Sequence, residues 1–212
     1  MVNQPTQPEN NAFQRFLQTW LVQAAPPLTD VARLAALFHS FDLPLLNGLR
    51  GAVEDTATLV GELERAGLVI SEGTDRYAVQ PSLRELLLRR WQDEDLAGYR
   101  HTSARTAALY IARLPGDEAD QVEYVYHQLG AEDASGTAVL ATEFERAWVI
   151  RHLGLAERLV RSADEQAPVF GPGARAWLRY FHARLDFAYG RYDEAESRFG
   201  NYAATGVRLS MM

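Results

Sequence analysis

The sequence predicts a mainly α-helical protein with one small β-hairpin in its first half. Three observations carry this expectation. Apolar residues recur at three- and four-residue spacing over most of the 212 residues, the pattern of helices that bury one face. The period becomes β-like in one stretch, between Leu68 and Val79. Proline and glycine divide the rest into segments of about 12–20 residues, ordinary helix lengths.

Residues 1–9 form a polar, proline-containing tail. Phe13, Phe16, Leu17, Trp20 and Leu21 then give one amphipathic helix, which Pro26-Pro27 should stop. Thr29 or Asp30 should cap a second helix through Phe38, and Asp42 a third that ends near Gly51. Asp55-Thr56 opens a fourth helix, closed by Gly67. Leu68-Val69-Ile70 and Arg76-Tyr77-Ala78-Val79 read as two strands around a turn at Glu72-Gly73. Ser82 and Glu85 form an expected capping box for the next helix. Three helices, a hairpin and a helix make the order of a winged helix-turn-helix.

From Asp93 onward every segment reads as helical. Helices are expected at 93–114, ending at Pro115-Gly116, and at 117–129. A pair at 137–151 and 155–165 should break at Gly154, and a last pair spans 174–189 and 192–204. Short glycine loops between such helices predict stacked α-hairpins, which bury their core between neighbours. The domains expected are therefore 1–27, a tail and amphipathic helix; 28–92, the winged helix; and 93–212, the helical array.

Composition closes several kinds of chemistry. There is no cysteine and no lysine, and all 21 basic residues are arginine. Thiolate metal sites, cysteine nucleophiles, Schiff-base lysines and the lysine of a phosphate-binding loop are excluded. Net charge is −7, and no segment is basic, which argues against a nucleic-acid partner. No apolar run approaches a membrane span, and MVNQPTQPEN lacks the features of a signal peptide. The expectation is a cytoplasmic protein that binds no membrane and no nucleotide. The five histidines, His39, His101, His127, His152 and His182, are not spaced as metal ligands. No cofactor or metal is expected, and the acidic runs at 93–95 and 117–118 read as helix starts.

Two resemblances add to this reading. Gly190-Arg-Tyr-Asp-Glu-Ala195, with Ala183 before it and Phe199 after it, resembles the turn and second helix of a tetratricopeptide repeat. Four further stretches follow one order: Phe41–Leu46, Leu63–Val69, Arg76–Leu86 and Tyr126–Asp133. That order resembles the region after the nucleotide-binding domain of STAND signal-transduction ATPases, the NB-ARC and NACHT proteins among them. The resemblance implies a winged helix, used for packing and switching, followed by tetratricopeptide-like repeats. Two features depart from that family. No glycine-rich phosphate loop is present, and Gln80 stands where the family commonly has a nucleotide-contacting histidine.

The expected function is a non-enzymatic protein–protein interaction module: a scaffold, adaptor or inhibitory regulator in a bacterial-type signalling or defence complex. The alternative is a winged-helix transcription regulator. The helix at 55–66 offers Glu62, Glu64 and one arginine, Arg65, where a groove-reading helix usually offers Arg, Lys, Asn or Gln. Arg84, Arg89 and Arg90 are the one basic cluster and read as a solvated face. The terminal aromatics are too widely spread around one helix to share a single core. Trp177, Tyr180, Phe181 and Tyr189, with the apolar tail residues Val207, Leu209, Met211 and Met212, are the candidate surface for a protein partner or a second copy.

Overall fold

The computed structural model of the protein describes residues 7–51, 55–114 and 116–203, with side chains between positions 15 and 200. Pro115 and the candidates Val207, Leu209, Met211 and Met212 lie outside the described residues. Among those described, the chain is mainly helical: eleven α-helices, one 3-10 turn and a two-stranded antiparallel hairpin. It divides into two compact units, Met1–Asp95 and Leu96–Met212. The boundary falls three residues after the expected one. Asp95, at φ −151° and ψ 70°, is the residue whose backbone leaves the helical region.

The first unit contains α1 (Gln7–Gln23), α2 (Pro26–Ala35), α3 (Leu43–Arg50), α4 (Thr56–Arg65), β1 (Val69–Ser71), β2 (Tyr77–Val79) and α5 (Pro81–Glu94). α2 packs on α3, α4, α5 and β2. Its Val31 and Ala35 share a core with Leu46 of α3, Leu63 of α4 and Leu83 of α5. β1 and β2 pair in the register Val69↔Val79, Ile70↔Ala78 and Ser71↔Tyr77. Phe41 joins them by two reciprocal backbone bonds with Tyr77, each 2.8 Å long, and by ring stacking on it.

Helix starts differ from the sequence reading in instructive ways. Pro26 and Pro27 open α2 rather than merely stopping α1, since the first turn needs no N–H from them. Thr29 is not the cap; its hydroxyl donates to the Pro26 carbonyl. Pro81 likewise opens α5, so Ser82 lies inside the first turn and forms no capping box; Gln80 is the cap residue. Asp42 does cap α3, accepting from Leu45 N–H at 2.6 Å. Asp55 makes no cap bond and instead pairs with Arg50, which also donates to Thr56 Oγ1. The acidic run at 93–95 closes α5 rather than starting a helix, and Arg90 answers part of it by pairing with Glu94.

The second unit contains α6 (Leu96–Ile111), α7 (Glu118–Ala131), α8 (Asp133–Val149), α9 (Leu153–Gln166), a 3-10 turn (Ala167–Val169), α10 (Pro172–Ala188) and α11 (Tyr192–Ala203). α7 packs on α6, α8 and α9, while α10 packs on α8, α9 and α11. One core runs through α7 to α10, with Leu129, Leu140, Phe144, Leu159 and Phe181 at its centre. α8 starts four residues earlier than expected. Gly136 therefore lies within it, because a Cβ there would sit 2.5 Å from Leu129 Cα. That glycine serves a close approach of helices, not a break. The break after α8 falls at Arg151 (φ +58°), and Gly154 enters the first turn of α9. Gly190 (φ +76°) makes the turn between α10 and α11.

Candidate functional site

A trough of about 1240 Å³ runs between α8 and α10 and is closed on one side by Phe199 of α11. Two residue stripes make its walls. On α8 they are Ala134, Ala138, Ala141, Glu145 and Trp148; on α10 they are Gly173, Trp177, Tyr180, Arg184 and Phe187. Both stripes repeat at spacings of four, three, four and three, which keeps them on one face of a helix over about 21 Å. The α8 wall is small for most of its length. The α10 wall is aromatic.

The core fixes the aromatic wall from behind. Phe181 is fully buried and lies 4.5 Å, centroid to centroid, from buried Phe144. Trp177 stacks on Phe181 at 5.5 Å and meets Tyr180 edge to face at 5.7 Å. Trp148 stacks on Phe144, and Tyr180 meets Phe199. The groove-lining rings are thus the outer members of a chain of rings whose inner members are core.

Charge in the trough is paired. Arg184, with 15% of its side chain exposed, donates to Glu145, of whose side chain 50% is exposed. Its guanidinium lies 4.3 Å from the Trp148 ring centroid and 5.6 Å from that of Tyr180. At the far end Gly171 N–H donates to Asp133 Oδ2 at 2.5 Å, tying the start of α8 to the start of α10. A Cβ on Gly171 would meet that same oxygen at 2.9 Å.

The candidates named from the sequence separate here. Trp177 and Tyr180 line the trough. Phe181 does not, because its position on α10 points into the core, and it is corrected to a packing residue. Tyr189 lies on a second, smaller cleft of about 340 Å³ with Glu157, Asp164 and His182. There its hydroxyl donates to Glu157 Oε2 at 3.2 Å. Partial burial pushes its pKa above the ordinary phenol value, and the bond and charge of Glu157 add to this, while Arg191 opposes it. His182 Nε2 lies 2.8 Å from Asp164 Oδ1 in the same cleft. His127 is buried between α6 and α7, stacked on Tyr110 and 3.4 Å from Glu123.

The sequence reading missed the α8 wall, Trp148 and Arg184. The signal existed, since the two stripes have matching spacing, but nothing in one stripe says which other helix it faces. Elsewhere, the exposed residues of α4 include Thr58, Glu64 and Arg65. Arg89 pairs with Glu85, Arg90 with Glu94, and Arg84 donates to the Phe38 carbonyl. Among the described residues no group of three or more His, Cys, Asp or Glu side chains could hold a metal ion. No described helix is long and apolar enough to cross a membrane. No protein-family model, no curated protein and no solved structure matches the chain.

Proposed function

We propose that the protein is a non-enzymatic interaction module, a scaffold, adaptor or inhibitory regulator, which holds a protein partner in the trough between α8 and α10. In this reading the second unit is a tetratricopeptide-like array of three hairpins: α6 with α7, α8 with α9, and α10 with α11. The first unit is a winged helix that faces protein rather than DNA. The pairing of sequential helices, the contact of α7 with α9 and of α8 with α10, and the Gly190 turn support the array. The order α2, α3, α4, hairpin, α5 supports the winged helix. The resemblance to the region beyond the ATPase domain of STAND proteins makes a signalling or defence complex the expected setting.

The observation that carries this reading is the trough. It is large for a small-molecule pocket, lined mainly by apolar and aromatic groups, and its charges are already paired. Half-exposed aromatics backed by a rigid core suit a protein anchor. The outward face of α4 and the ion-paired arginines of α5 do not favour a phosphate backbone.

A photo-crosslinking residue tests it, placed either at Thr142 on the trough rim or at exposed Arg161 on α9, in cells that naturally make the protein. The proposal expects a discrete protein adduct from position 142 and none from 161. No adduct at 142, or the same adducts at both positions, contradicts it. Salt-sensitive DNA binding by the full chain would move the assignment to a transcription regulator.

A further inference from the structure

We infer that the occupant of the trough is an amphipathic α-helix of about four turns, supplied by another protein and carrying a basic residue beside its apolar stripe. This rests on the reading of the trough as a protein-binding surface.

Hydrogen bonding favours a helix first. Both walls are helices, whose backbone groups between the first and last turns are engaged within α8 and α10. An extended segment laid between them would lose water from its own N–H and C=O groups and find no strand edge in exchange. A helix satisfies those groups internally. Spacing favours it next. Each wall presents a stripe at alternating four- and three-residue steps, the seam that a neighbouring helix fills with its own residues of period 3.5. Two such stripes, running side by side for about 21 Å, accommodate a third helix of about 14 residues.

Shape and charge then specify its faces. The alanines at 134, 138 and 141 leave room for large aliphatic side chains, while Trp177, Tyr180 and Phe187 leave room only for small ones. Towards the C-terminal ends of the two walls the reachable charge is negative. Glu145 is half exposed and bonds Arg184 through Oε1, and its Oε2 makes no hydrogen bond among the described residues. Arg184 lies beneath, flanked by rings. A basic side chain on the flank of the occupant meets Glu145 without displacing Arg184.

The test selects binders to the full chain from a displayed library of random 18-residue peptides. Those that depend on the trough are identified by counter-selection against Ala138→Arg. Ala138 is exposed on α8, so this variant should melt like the parent. The expected binders carry apolar residues at four- and three-residue spacing with a neighbouring Arg or Lys. They weaken at least tenfold on Ala138→Arg or when a central residue of the peptide becomes proline, and several-fold on Glu145→Gln. Trough-dependent binders that are proline-rich, lack the period or tolerate the central proline overturn the helix while leaving the trough as a protein site. A complete lack of trough-dependent binders overturns both. Self-association of the parent that Ala138→Arg abolishes would assign the trough to a second copy and overturn the separate partner.

Discussion

Gly136 and Gly190 show how the same residue type meets opposite demands. At Gly136 the obstacle is space, because a Cβ would collide with the backbone of Gln128 and Leu129, which cannot swing aside as a side chain can. Gly136→Ala should cost about 3 kcal/mol or more, at the upper end for overpacking. At Gly190 nothing lies within 4 Å of a Cβ, but φ is +76°. Gly190→Ala should cost only about 1 kcal/mol, the strain of a left-handed alanine. Thermal or urea melts that rank these two in the reverse order would show the α7–α8 approach to be wrong. Phe181 and Trp177 make a second contrast. Phe181→Ala opens a cavity in the core and should cost about 3–5 kcal/mol. Trp177→Ala should cost distinctly less and instead lower partner affinity. Tyr189 carries a pH dependence. Its raised pKa means that the fold favours the protonated phenol, so that stabilisation is full below the free value of 10.0 and is lost as pH rises through the higher folded value. Tyr189→Phe should therefore flatten the alkaline fall of stability and change little at neutral pH. An alkaline fall as steep in the variant as in the parent would count against the assignment.

At the level of elements, the sequence shows helices and their order clearly, and their ends poorly. Asp42 and Gly67 read correctly because each fills the position its chemistry suits. Ser82 and Thr29 misled because proline at the first helical position competes with a capping residue one to three places later, and here proline sets the start. Gly154 misled because a glycine near a helix end looks the same whether it breaks the helix or sits in its first turn. The trough itself was half legible. Trp177 and Tyr180 stood out as surplus aromatics, but adjacent Phe181 differs from them only by its angle around α10, which packing decides. The opposing wall was not legible, since alanines at 134, 138 and 141 carry no chemical label until α10 faces them. The tie between those walls yields its own expectation. Asp133→Ala removes the acceptor for Gly171 N–H and leaves that group without it. A loss of about 1–3 kcal/mol should follow, together with faster hydrogen exchange at the start of α10. An unchanged melt and unchanged exchange would show that the tie does not hold the trough open.

Across the whole molecule, two cores form from segments contiguous in sequence: one gathers around α2, and the other runs through α7 to α10. Among the described residues, the second unit places a large apolar concavity on the face where α8 and α10 run side by side, with rigid rings and paired charges there. The first unit presents mixed charge on α4 and ion-paired arginines on α5. On the proposed reading, that asymmetry favours the helical array over the first unit for partner recognition. Amide hydrogen exchange of the full chain, with and without the partner identified by crosslinking at position 142, tests this most directly. The account predicts that added protection is concentrated in 133–148 and 171–199, with 55–79 unchanged. Protection centred on α4 and the β1–β2 hairpin, with the α8 and α10 amides unaffected, would contradict it.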